Sequence, residues 1–416
     1  MRTFVSASFG RRDKIVRLIG ALTVMAVSGA AQTSPALTTL HSFTGGNDGA
    51  NPGAGVVFGK GGSLFGTTYY GGAKSLGTAY ELTPGAGSTW TQSVIYSFQG
   101  GTDGANPDAA LTPGAGGVLY GTTFLGGSTG NGTVFQLNPP ASSGAPWTET
   151  VLYSFQGGTD GSGPRGSVIR ISNGTLYGTT FGGGNKAAGT VFQLTPPTGT
   201  GAWTETVIYN FQGAKDGANP YSGVIQSKGL LYGTTYTGTE GGTVYRLTSK
   251  TGTWTKQILF NFSAPALGSH PYGALAIDAN GVVYGTTSEG GASGAGIAFS
   301  LTAAGKGNPW TLTTIHAFTN GADGGYPYAG PTLGPNGVVY VAASNGCTFV
   351  GGCVLEFVPP AGGTGAWTET VLYSFTGAND GSLPFAGVIL GTNNTLYGTT
   401  NYGGVADYGT VYKLIP

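Results

Sequence analysis

One phrase recurs along the chain, and it constrains the fold more than any other feature. Residues 96–107 read YSFQGGTDGANP, 153–164 YSFQGGTDGSGP, 209–220 YNFQGAKDGANP and 373–384 YSFTGANDGSLP. Aligned on the closing aromatic of the preceding run, the copies fall at Phe43, Phe98, Phe155, Phe211, Phe262, Phe318 and Phe375, in steps of 51 to 57 residues. Each unit holds four short runs rich in Val, Thr, Tyr, Phe and Leu and bounded by Gly, Pro, Asn and Asp. These run from AGVVF (54–58) through LYGTT (119–123) and GTVFQL (132–137) to WTETVLYSF (147–155). Such runs read as strands, and no segment sustains a 3.6-residue period. Seven units of four strands predict an all-β fold, a seven-bladed β-propeller of four-stranded antiparallel blades. The ends agree with a closed ring. The last unit stops after its third strand, and LTTLHSF (37–43) is a fourth strand without its unit, so the N-terminal strand is expected to complete the last blade. An open array would instead need capping ends.

Residues 1–30 differ in kind. Arg2, Arg11, Arg12, Lys14 and Arg17 precede the apolar run LIGALTVMAVSGA (18–30), with Ser28 and Ala30 placed for cleavage. This is the plan of a signal peptide, and the run is short for a membrane anchor of about 20 residues. The Arg11-Arg12 pair raises the twin-arginine route, although the residues after it fit that pattern poorly. The expected product is therefore secreted or periplasmic, with residues 31–416 as a single propeller domain, no membrane span in the mature chain, and a monomer. Removing 1–30 takes five of the 17 basic residues and one of the 17 acidic ones, leaving 12 against 16 and a net charge of about −4. Without a basic footprint, nucleic acid is not an expected partner. Cys347 and Cys353, the only cysteines, enclose TFVGG, and in an exported chain they are expected to form a local disulfide.

The repeated LYGTT, then GG, then GTVFxL resembles the repeat of the GloVer tandem-repeat proteins, a family of secreted bacterial proteins, over about 37–416. The resemblance implies export and repeat architecture and transfers no catalytic residue, because the family has no established activity. Kelch repeats also pair Gly-Gly with a later Tyr and Trp, but the gap from Phe135 to Trp147 is long for them.

Function is expected on the face formed by two Gly-rich loops, GGxDGAxP and TTxxGGxxxxG. Asp48, Asp103, Asp160, Asp216, Asp323 and Asp380 hold one position in six of the seven loops. Repetition at nearly every copy favours a turn role, Asp-Gly closing its own loop. A ring of Ca²⁺ ligands is the alternative, limited because one Asp per loop supplies too few oxygens; no other cofactor is expected. The residue after the loop Pro breaks the symmetry: Gly53, Asp108, Arg165, Tyr221, Tyr272, Tyr328 and Phe385. As the start of the innermost strand it should border the channel mouth, where aromatics beside opposite charges suit a glycan or another flat ligand. The competing reading packs these rings beneath neighbouring loops. His270 lies in the loop without the Asp. With Asp108 it is a weak catalytic candidate, for a polysaccharide hydrolase or lyase with Arg165 as helper. A third reading is a purely structural or cell-surface interaction module, with an extracellular protein as the alternative partner to a glycan. His41 and His316 stand where Tyr96, Tyr153 and Tyr373 stand, and Glu149, Glu205 and Glu369 read as a solvated outer edge.

Overall fold

The computed structural model describes residues 35–142, 144–238, 241–305, 309–363 and 365–416, and the signal sequence read over 1–30 lies outside them. Seven four-stranded antiparallel sheets follow one another along the chain, and in each, save where the first strand joins the last sheet, strands pair with their sequence neighbours. Six blades span 57–97, 112–154, 169–210, 225–261, 276–317 and 332–374. The seventh combines three C-terminal strands with Ala36–Ser42, whose outer-edge register runs from Ala36 opposite Ile415 to Ser42 opposite Thr410. The ring is a seven-bladed β-propeller closed by its first strand. Among the described residues helix is limited to single 3₁₀ turns, and no helix is long and apolar enough to cross a membrane.

Each word of the repeat has a physical task. In LYGTT the Gly lies directly opposite the aromatic of the third strand, as Gly121 lies opposite Phe135. A Cβ on Gly121 would come 2.4 Å from the Phe135 ring, so the ring occupies the space a side chain would take. The first Thr of the pair reaches to the next blade: Thr67 donates to the Ala109 carbonyl at 3.0 Å, Thr179 to Ser222 at 2.9 Å, and Thr399 to Ala54 at 3.0 Å across the ring junction. The second Thr bonds within its blade, Thr123 Oγ1 to Thr133 Oγ1 at 2.8 Å. Four Trp residues of the outer strand, Trp90, Trp147, Trp203 and Trp254, lie edge-on to the aromatic of the preceding blade, as in Trp147 on Phe65 and Trp203 on Tyr120 at 5.7 and 6.4 Å. The closing Phe residues are all but fully buried between blades and meet the third-strand ring edge-to-face, Phe155 on Phe192 at 5.1 Å.

One reading of the strands needs correction. The innermost strand is only two or three residues long, Val57–Phe58 and Ile225–Ser227 for example. The residues before it are not laddered to their own blade, because carbonyls such as those of Ala54 and Ala109 accept from the neighbouring blade's Thr. The outer strand carries a bulge in six blades and at the ring junction, between Tyr153 and Val151 in the second. The bulge lets Leu152 enter the core while Tyr153 turns toward its loop.

Blade 6 departs from the phrase in a coordinated way. VYVAA replaces LYGTT, and Cys353 stands where Thr133 stands. The Thr–Thr bond is gone, and a Cys347–Cys353 disulfide ties the loop to the third strand.

Candidate functional site

The six Asp residues act on their own turns. Asp103 accepts from the Tyr96 hydroxyl at 2.5 Å and the Gln99 amide at 2.6 Å, and Asp160 from Tyr153 and Gln156 at 2.7 and 2.6 Å. Asp216 and Asp380 repeat the pattern with Tyr209 and Tyr373. At Asp48 and Asp323 a His takes the place of the Tyr, His41 Nε2 at 3.3 Å and His316 Nε2 at 2.9 Å. Each carboxylate thus bonds to the ring seven residues before it and the backbone amide four before it, closing the turn. Among the described residues no three His, Cys, Asp or Glu side chains are grouped as a metal would need.

The outer-strand Glu residues are not a solvated edge. The face of the strand that carries them packs against the preceding blade, so Glu149 lies beside Asp103 and Glu205 beside Asp160. One carboxylate oxygen of each is fully enclosed with no partner. Where the same position holds Lys256, its Nζ bonds Asp216, and where the preceding loop lacks an Asp the position holds Leu312. In blade 6, Glu369 instead meets His316 Nδ1 at 3.2 Å. Burial first, and the facing Asp second, push Glu149 and Glu205 up to about 8. A carboxyl raised above its unfolded value of about 4.3 favours the fold while protonated. That contribution is complete below the unfolded value and is lost as pH rises through about 8. We expect Glu149→Gln with Glu205→Gln to gain on the wild type as pH rises from 5 to 9, read as melting temperature. A difference that stays flat across that range would remove the raised carboxyls from the account.

Going inward, the seven residues after the loop Pro meet at the mouth of the central channel. Arg165 Nη1 donates to Asp108 Oδ2 at 2.6 Å, and its guanidinium lies 3.7 Å over the Phe124 ring and 5.1 Å from that of Tyr221. Tyr221 stacks on Tyr272 at 4.2 Å and 28°. Tyr272 meets Tyr328 edge-on at 5.3 Å, and Tyr328 meets Phe385 at 5.4 Å. These six side chains form a collar in which each touches the next. Burial holds Asp108 up at about 6 against the pull of Arg165, and pushes the Tyr272 hydroxyl up as well. The collar is broken at one place, Gly53.

Two cavities share the collar. One of about 240 Å³ opens on the loop side over Gly53, and one of about 260 Å³ lies on the strand side within the channel. The loop-side cavity is also walled by Tyr69, Tyr70, Asn401 and Tyr402. These four were missed in the sequence. They belong to a second variable set, the two residues after each Thr pair, which reads YY, FL, FG, YT, SE and NY, with SN after Ala-Ala in blade 6. Tabulating that position as well as the one after Pro would have found them. The competing reading of the aromatics is partly realised, since Tyr221 packs against Phe181 and Tyr236 at 4.9 Å, yet Tyr221 also lines both cavities. His270 is not brought to Asp108. Its ring lies against Tyr236 at 4.8 Å with Nδ1 3.2 Å from Glu289, and it lines neither cavity.

The model of the Gloeobacter/Verrucomicrobia repeat matches residues 23–201 and 146–332. No curated protein matches in sequence. Among solved structures, a fungal alcohol oxidase of the AA5 family in complex with copper is 15% identical, with a TM-score of 0.53 over 92% of this chain and 77% of that one. The periplasmic gluconolactonase of Pseudomonas aeruginosa is 15% identical, with a TM-score of 0.51 over 85% of this chain and 98% of that one. At such identity the likeness is one of fold.

Proposed function

The chain belongs to the Gloeobacter/Verrucomicrobia repeat family, and on the propeller that the repeat builds we propose an exported, non-catalytic protein that binds a glycan at the channel mouth. The observation that carries this is the collar: three of its aromatic side chains, Tyr221, Tyr272 and Phe385, and its Asp–Arg pair, drawn from five blades, line a cavity whose lip is exposed tyrosine, Tyr70 at 52% and Tyr402 at 43%. Rings offer flat apolar faces to sugar C–H groups, and the charged pair with Asn401 offers hydrogen bonds to hydroxyls. Export is supported by the disulfide, which persists in oxidising compartments. The hydrolase or lyase reading has no observation in its favour. Among the described residues lining the two cavities Asp108 is the one carboxylate, whereas glycoside hydrolysis uses two, about 5–9.5 Å apart.

A panel of neutral and acidic oligosaccharides, read by calorimetry, tests the proposal. The expected result is binding that Tyr221→Ala and Tyr272→Ala each weaken by about tenfold or more, a loss of ~1.4 kcal/mol, with the melting transition still cooperative. Absence of any glycan binding would leave the module reading, a surface for an extracellular protein, in its place.

A further inference from the structure

Because Gly53 is the single break in the collar, the cavity there has a shape that bears on how a chain is held. The inference rests on the glycan reading above. A Cβ on Gly53 would come 3.2 Å from Asp108 Oδ1 and 3.7 Å from Asn401 Nδ2, so the missing side chain leaves a notch bordered by a carboxylate and an amide. Gly53 has no left-handed backbone to explain its choice, since its φ lies outside the positive range. At the equivalent position three other blades carry Tyr and one carries Phe, so the backbone tolerates a ring there.

The notch opens on a cavity of about 240 Å³, below the ~300–1,000 Å³ of pockets that enclose a drug-sized ligand. There is room for one sugar ring. Below the collar, the inner strands pack backbone against backbone. A Cβ on Gly166 would lie 2.0 Å from the Gly223 amide, and one on Gly330 would lie 1.9 Å from the Ala274 carbonyl, so the channel wall offers no side exit for a chain between those strands. On the loop side, in contrast, exposed Tyr70 and Tyr402 flank the cavity as an open platform.

We propose that the protein recognises the end of a neutral polysaccharide chain: a terminal sugar lodges in the Gly53 notch, and the rest of the chain leaves over Tyr70 and Tyr402. Asp108 Oδ1 faces the notch while Oδ2 is held by Arg165, so a carboxylate oxygen accepts from a sugar hydroxyl and the Asn401 amide donates to another. An acidic terminal sugar would meet Asp108 head-on, which sets the preference for neutral units.

End recognition predicts stoichiometry. Cello-, xylo-, manno- and laminari-oligosaccharides, each as a hexasaccharide and as a long soluble chain, are titrated with the full-length mature protein. The expected result is one protein per chain at either length for whichever backbone binds. Gly53→Tyr, which completes the collar, is expected to lower affinity by about a hundredfold while its circular dichroism and melting temperature match the wild type. Several proteins per long chain would overturn end recognition and leave the glycan reading standing. Wild-type affinity in Gly53→Tyr would remove the notch. No binding of any backbone would take both readings away.

Discussion

A chain that begins at Thr44 is expected to lose its cooperative fold. The strand Ala36–Ser42 is seven residues of a 416-residue chain, yet it is the outer strand of blade 7 and, through Phe43 just beyond it, part of the joint between first and last blades. Leu40 and Phe43 are buried beside Tyr80 of blade 1 and Val411 of blade 7. Burial of side chains of this size contributes about 1.5–3 kcal/mol each, so the two together contribute roughly 3–6 kcal/mol, against a total stability of about 5–15 kcal/mol. Removal also uncovers Thr410–Ile415, an apolar strand that would become an open edge and a template for aggregation. Thermal unfolding followed by circular dichroism, with a dye for exposed apolar surface, compares this truncation with a chain beginning at Gln32. We expect dye binding without a sigmoidal transition. A truncated chain melting within a few degrees of the longer one would show that the ring does not depend on this closure.

That closure was legible in the sequence because it is a matter of order: a fourth strand at the start and three at the end. So was the blade, since strand alternation and Gly-Pro punctuation are local signals. Part of what escaped involves residues about 45 apart, on facing blades. Glu149 reads as an exposed edge within its own strand, and only packing against the neighbouring blade half-buries its carboxyl and sets it beside Asp103. The alternation rule itself fails at the Leu152 bulge, which no residue type announces. The collar was half visible. The residue after each Pro varies, and those positions meet at the mouth, but Tyr69 and Tyr70 sit in a loop bridged to Ala50 and Asn51 of the same unit, and Asn401 and Tyr402 reach Gly53 only through ring closure. The Gly of LYGTT was seen as part of the phrase without its cause, which lies one strand away.

That cause gives the second large effect. Gly121→Val is expected to destabilise strongly, and Phe135→Leu to restore much of what it removes. The Gly121 backbone is ordinary extended strand, so a side chain meets no conformational barrier there and would lower the backbone entropy lost on folding. The obstacle is the Phe135 ring, 2.4 Å from the position a Cβ would take. Both residues are enclosed in a close-packed interior, where overpacking costs typically 1–3 kcal/mol. Blade 6 contains the compensated pair: Val341 lies opposite Leu355 in the same register, and both are buried. Phe135→Leu alone gives up the edge-to-face contact with Phe98 and leaves a cavity over Gly121, so it too is destabilising. Joined, the added isopropyl group fills the space the ring vacated. A double-mutant cycle on denaturant midpoints should therefore return a favourable coupling of at least ~1 kcal/mol. Additive losses would mean that Val341 and Leu355 fit for reasons particular to blade 6, and that the ring is not what keeps glycine in the repeat.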